Sequence, residues 1–327
     1  MDLGVYIIVH CGRWGGSITK RQTAQNQNVA NNETSTEEIV PSLAILLAIS
    51  AAAAWAIGMA AAKPGGRHMD LVTYTLARWL LVSVLAFLYA LLTRRLAFPG
   101  WEPILLAAGA GILDPTLGGI FYMLAMERAS AYQTTTLAST APLWGVLGAI
   151  LMLGEPLLWR TVIAAILVIG GAWFLTQRRR SAKPWAWLGA GFALITGILW
   201  GFAETVPAKL ALQEGMSPET FLLVFSLSGA LGTFVLLPIL RPHIPRRVER
   251  RGILFVVLSA IGGAFMGWLL WLHALNLAPA SVISPVRGST LLFAFIYSVL
   301  FLKERPTVRA FIGIALVAVG VLLVSLS

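Results

Sequence analysis

The sequence predicts an all-α integral membrane protein, with about ten transmembrane helices arranged as two inverted five-helix repeats. Three observations carry this expectation: an apolar composition, about ten apolar stretches of spanning length, and an internal repeat that covers an odd number of them. Hydrophobic residues make up 58% of the chain and charged residues 12%, and the mean hydropathy is +0.81. A domain in water could not cover that much apolar surface with polar groups. A hydrocarbon core of roughly 30 Å takes about 20 residues per helix. The 327 residues therefore have room for about ten crossings with short connections.

The stretches fall near 40–62, 70–93, 102–126, 131–153, 158–176, 185–209, 218–240, 252–276, 280–302 and 307–326, each bounded by charge, Pro or Gly. Short connections force sequence neighbours to pack as antiparallel pairs. Only Gln177 to Pro184, with Arg178, Arg179, Arg180 and Lys183, and Arg241 to Arg251 are roomier. Ahead of the first stretch, Gln22 to Glu38 is rich in Asn, Thr, Gln and Glu, a composition expected to remain disordered. Met1 to His10 is too short to span and lacks a small-residue cleavage pattern, so no signal peptide is expected. The expected division is a polar tail at 1–38, a first repeat at 39–176, a basic linker at 177–184 and a second repeat at 185–327.

The repeat emerges when the chain is slid along itself by 149 residues. Ala131 then meets Ala280, Leu143 meets Leu292, Glu155 meets Glu304, Arg160 meets Arg309 and Gly171 meets Gly320. The apolar matches cost little in this composition, but the Glu and Arg matches are specific. A shift of 145 pairs Leu43 with Leu188 and Trp55 with Trp200, so the second copy begins at the sixth stretch. Five crossings per copy make the second copy insert upside down. A pseudo-two-fold axis in the membrane plane follows, with a site expected near mid-membrane where the copies meet.

The net charge of +10 would suggest nucleic acid as a partner of a soluble protein. Here Lys and Arg sit almost wholly between apolar stretches, where they set topology and meet lipid headgroups, so lipid rather than nucleic acid is expected. Cys11 is the single cysteine, and of the histidines His10, His68, His243 and His273 only the last falls inside a stretch. No disulfide, metal site or cofactor is expected.

Leu-Gly-Glu-Pro at 153–156 and Leu-Lys-Glu-Arg-Pro at 302–306 each precede a Gly-containing apolar helix. Trp55, and Trp200 with Gly201, lie in the first helix of each copy, with Lys63 and Lys209 near its end; Arg78 opens the second span. Tyr122-Met-Leu-Ala-Met is answered by Trp271-Leu-His-Ala-Leu. This pattern resembles the EamA repeat of the drug/metabolite transporter superfamily over about residues 40 to 326. The resemblance implies a ten-helix bundle around a central cavity lined by helices 1, 3, 4, 6, 8 and 9, with 5 and 10 peripheral. It further implies export or exchange of amino acids, metabolites or drugs, and cytoplasmic termini. The basic loops of the first copy agree with that orientation, while Arg178 to Lys183, Arg241 to Arg251 and Lys303 to Arg309 oppose it.

Charges within spans cost about 2.5–3.5 kcal/mol each on insertion scales and therefore need a reason. Asp114 precedes Pro115 and shares a helix face with Gly111, Gly118 and Tyr122, so it reads either as a proton- or amine-binding carboxylate or as a cap at a helix break. Glu204 shares a face with Thr196 and Trp200, and reads either as a site carboxylate or as an interfacial partner of Lys209. Arg287 lies between Ser284 and Thr290 beside Pro285. Its repeat counterpart is Ala138, which points to a private role, pairing with Asp114 or Glu204 or holding a substrate carboxylate, or else to a bridge between the halves. Arg78, as part of the shared pattern, reads as structural, and Glu155 and Glu304 as closures of tight connections. Trp55, Tyr122, Trp200 and Trp271 are candidates for a cavity wall. His273 reads as a packed residue rather than a proton relay.

The reading that absorbs most of these features is a multi-pass plasma-membrane protein that moves a small molecule by alternating access, with Asp114 or Glu204 carrying any coupling proton. The oligomeric state is left open, a monomer included. No phosphate-cradling Gly-x-x-x-x-Gly-Lys-Ser/Thr loop occurs, which argues against an ATP-driven pump in this chain alone. A membrane-embedded enzyme would need a nucleophile and base or a metal set, which the spans do not offer. A scaffold remains the other alternative.

Overall fold

The computed structural model describes residues 42–62, 64–128, 134, 137–156, 158–176, 186–240, 247–302 and 308–325. The expected 1–38 tail and 177–184 linker, Lys63 and Glu304 lie outside the described residues. Among the described residues, seven helices are long and apolar enough to span: α1 (Ser42–His68), α2 (Val72–Leu92), α3 (Trp101–Ala125), α6 (Trp187–Gln213), α7 (Pro218–Ile239), α8 (Arg250–Leu277) and α9 (Ala280–Tyr297). Three shorter apolar helices complete the set: α4 (Ala141–Leu153), α5 (Trp159–Thr176) and α10 (Val308–Ser325). The result is an all-α, multi-pass bundle of about ten helices, as the composition demands.

Leu92, Leu151, Leu254 and Phe311 stand exposed, while Trp271, Phe221 and a series of alanines including Ala48, Ala107, Ala203 and Ala274 are fully buried. Large apolar side chains outside and small ones inside suit a hydrocarbon solvent, because lipid offers no hydrophobic drive and helices hold together by close packing.

The helix ends are capped by local chemistry. Asp70 accepts the Thr73 N–H at 2.9 Å ahead of α2, and Ser217 accepts the Thr220 N–H at 3.1 Å ahead of α7, where Pro218 supplies a preset φ. Gly154 ends α4 at φ +67°, the left-handed conformation that a residue without Cβ adopts most readily.

Packing of α5 against α10 reveals the symmetry. Gly171 lies against Gly313 and Val317, and Gly320 lies against Ala164 and Val168. Each contact is the image of the other under the 149-residue shift, which is what a two-fold axis generates. Rising numbers on α5 meet falling numbers on α10, so the two final helices of the copies run antiparallel. The five-helix units are therefore inverted.

Four of the spans are interrupted near their middles. In α3 a π-helical segment covers Ile112–Gly118: Pro115 has no N–H to offer the carbonyl one turn back, and the ladder widens around it. In α8 a π-helical segment at the matching level, Ser259–Phe265, contains no proline. Helix α6 loosens at Glu204 and Thr205 ahead of Pro207, and α9 tightens into a 3-10 turn at Ser284–Ser289. All four interruptions sit around one central space.

Candidate functional site

That space is a cavity of about 370 Å³. Its wall comes from α1, α3, α6, α8 and α9, with Ala138 and Ser139 from the approach to α4, and α5 and α10 contribute nothing to it. Two helices outside the expected set join the wall: α2 adds Val72, Tyr74, Thr75, Arg78 and Trp79, and α7 adds Thr233. The first turns of α2 reach the cavity because Asp70 ties them into the bundle, accepting from the Arg247 N–H through Oδ2 at 3.1 Å.

The scaffold of the site obeys the two-fold. Trp55 packs over Gly267 and its counterpart Trp200 packs over Gly118, each glycine leaving room that a Cβ would take away. Trp55 also lies 5.4 Å from Trp271, centroid to centroid, and Trp200 lies 5.3 Å from Tyr122, the residue that matches Trp271 in the repeat. Two aromatic pairs of like geometry thus face one another across the axis.

The charges break this symmetry. Arg287 sits on the axis, its guanidinium carbon 5.7 Å from the Trp55 ring and 5.8 Å from the Trp200 ring. It donates through Nη2 to Glu204 Oε1 at 2.5 Å and through Nε to Glu204 Oε2, a two-pronged ion pair. The buried Asp114 carboxyl lines the same cavity and interacts electrostatically with Glu204 and Arg287, so Asp114, Glu204 and Arg287 form one cluster. The repeat puts Gly263 opposite Asp114, Met59 opposite Glu204 and Ala138 opposite Arg287, and all three of these uncharged counterparts also line the cavity. Aligning the helix caps Asp70 and Ser217 puts Phe225 opposite Arg78. One shared fold supplies the walls; each charge is private to one copy.

Of the residues singled out in the sequence, Trp55, Tyr122, Trp200, Asp114, Glu204 and Arg287 converge on the cavity, and Arg78 joins them. Trp271 and Ser284 stand behind the wall. The Trp271 indole donates to the Glu204 carbonyl at 2.8 Å, while Ser284 donates to the Ala280 carbonyl at 2.8 Å and lies 3.3 Å from the Thr205 hydroxyl. Both hold the broken segments of α6 and α9 in place. Trp268, which the sequence reading passed over, is in the wall, 5.9 Å from the Trp55 ring. Its only sequence signal is a position one helical turn from Trp271.

Two further sequence candidates close one end of the bundle, the end that holds the α8–α9 connection. Glu155 accepts the N–H groups of Ala280 and Ser281 at 2.8 and 2.7 Å, which caps α9 from another helix pair. Lys209 donates to the carbonyls of Leu275 and Ala278 at 2.5 and 2.9 Å, which caps α8. At the same end Glu219 takes Arg95 at 3.2 Å and lies 3.6 Å from His273. The cavity wall, in contrast, continues through Ala62 and Val72 toward the α1–α2 connection at the other end.

Comparison with known proteins agrees with this architecture. The model of the EamA-like transporter family matches residues 42–177 and again residues 187–326. An uncharacterized transporter of Archaeoglobus fulgidus is 24% identical over 291 residues, covering 87% of this chain and 98% of that protein. An uncharacterized transporter of Helicobacter pylori strain 26695 is 25% identical over 207 residues, 62% of this chain and 67% of that protein. A heme A synthase of Rhodopseudomonas palustris is 28% identical, over only 44% of this chain and 45% of its own. A solved crystal structure with 18% identity superposes at a TM-score of 0.75, covering 87% of this chain and 97% of its own, and so shares the fold. A family model that matches once per inverted copy, with a relative that aligns over 87% of the chain, settles the lineage: this chain belongs to the EamA-like transporter family of the drug/metabolite transporter superfamily.

Proposed function

We propose that this protein is a secondary transporter, an exporter or exchanger of small metabolites, amino acids or drugs, working by alternating access with a proton bound between Asp114 and Glu204. The observation that carries the reading is the cluster of Asp114, Glu204 and Arg287 between the two copies, inside a cavity whose wall also holds Arg78 and the rings of Trp55, Tyr122, Trp200 and Trp268. Two buried carboxyl groups side by side disfavour a second negative charge, so they favour holding a proton between them even with Arg287 and Arg78 in the same wall. Gain or loss of that proton changes the net charge on the axis by one, in a low-dielectric space where such a change weighs heavily on which side the cavity opens.

The inverted repeat supports the alternation: what closes one end in one state has a repeat-related counterpart for the other end. Glu155 and Lys209 close the end at which α1 starts and α10 finishes by span parity, so this conformation opens at the opposite end. With the termini in the cytoplasm, it faces outward from the plasma membrane. The cargo is a small molecule and the remaining partners are membrane lipids.

In liposomes that hold the purified protein, an imposed pH gradient should drive flux of an accepted substrate. Asp114→Asn or Glu204→Gln should abolish the response to the gradient while downhill exchange persists. Gradient-driven flux of wild-type size in both variants would rule out this proton site.

A further inference from the structure

The cavity holds two guanidinium groups, and only one has a carboxylate. Arg287 is committed to Glu204. Arg78 stands in the same wall with its Nε buried and without a hydrogen-bond partner, and among the described residues it makes no ion pair. The neighbouring Trp79 ring lies 4.9 Å from the guanidinium carbon. Asp114, whose field Arg78 feels without an ion pair between them, interacts with Glu204 and Arg287 as well. The fold does not require this cation. The corresponding residue of the other copy is Phe225, fully buried and packed against Trp79 and Trp268 at 5.4 and 4.1 Å between centroids. A buried guanidinium without an ion-pair partner is costly, and such burial persists where a ligand completes the pair.

We infer that Arg78 is the anchor for the carboxylate of the cargo, a small organic monoanion whose apolar body lies against Trp55, Trp200 and Trp268. One guanidinium neutralises one charge. With a proton between Asp114 and Glu204, the cluster of Arg78, Arg287, Asp114 and Glu204 carries a single net positive charge, which suits a monoanion and leaves a doubly charged phosphate uncompensated. A planar carboxylate also matches the guanidinium fork. A cationic amine of the same body finds no unengaged carboxylate in the wall and is rejected by Arg78. The inference rests on the transporter reading for the word cargo, but its test is made at equilibrium.

The full-length protein in lipid nanodiscs is offered radiolabelled 3-phenylpropionate, with phenethylamine as the amine of similar body. The wild type should bind the carboxylate and not the amine. Arg78→Gln should weaken carboxylate binding tenfold or more, Arg78→Phe, which copies the other repeat, should do the same, and Arg78→Lys should keep part of it. The helical circular dichroism of each variant reports that the bundle is intact. No measurable carboxylate binding by the wild type, wild-type affinity in Arg78→Gln, or tighter binding of the amine overturns the inference. Intact Arg78-dependent binding without proton-driven flux would instead strike at the transport mechanism alone.

Discussion

At the residue scale, the cluster on the axis is a set of obligations. Glu204 and Arg287 satisfy each other in two places, and removing one leaves the other buried and uncompensated, at a cost of about 3–5 kcal/mol. The other repeat shows what the fold accepts in their stead, Met59 and Ala138. Arg287→Ala alone should therefore lower the thermal midpoint in detergent sharply. The double variant Glu204→Met with Arg287→Ala should recover most of the loss, since apolar replacement of a buried pair is often nearly neutral, while proton-coupled flux stays absent. A double variant no more stable than Arg287→Ala would show that the pair serves the fold itself.

At the element scale, corners of one repeat are tied to connections of the other. Beyond α1 the chain pairs with the approach to α8: Asp70 donates its N–H to the Arg247 carbonyl at 2.8 Å, Glu249 donates its N–H to the His68 carbonyl at 2.8 Å, and His68 Nδ1 lies 2.6 Å from the Glu249 carboxylate. Hydrogen bonds from His68 and Arg247 hold the Glu249 carboxyl below the usual carboxylate range. A depressed folded pKa means that this carboxylate stabilises the fold above the unfolded value of about 4.3, and that the contribution fades as pH falls through the folded value. Thermal melts of the wild type and Glu249→Gln should differ at pH 6 and converge below about pH 4. A difference that grows on acidification would contradict the tie. The opposite corner has a matching tie, Ser217 and Thr220 donating to the Arg95 carbonyl at 2.5 and 3.1 Å.

At the scale of the whole molecule, the two-fold supplies walls and the departures from it supply chemistry. The cavity reaches past Met59 toward the α1–α2 connection, whereas Glu155, Lys209 and Glu219 engage partners at the other end. Cys11 is the single native cysteine, so a Cys11→Ser background gives a clean reporter. Met59→Cys in that background should react with a membrane-impermeant thiol reagent added on the side away from the termini, and should be protected from the terminal side. Faster labelling from the terminal side would reverse the sidedness given above.

The amino-acid sequence by itself determined the solvent, the span count and the inversion, because composition, helix length and the parity of a five-span repeat do not depend on contacts. It also marked Asp114, Glu204 and Arg287, since a charge in a span is costly enough to be noticed without coordinates. What only the tertiary structure decided is which partner each charge takes. Lys209 lies five residues after Glu204 and reads as its local partner, yet it caps α8 while Glu204 turns to Arg287 across the axis. Arg78 reads as scaffold, and the structure places it in the cavity wall, where the other copy has the buried Phe225. Trp268 and Trp271 share a helix face on paper, but only Trp268 lines the cavity. The π-helical segment of α8 has no proline to announce it, as Pro115 does in α3, and it lies against α1 at Gly58 and Gly263, a contact that exists only once the chain is folded.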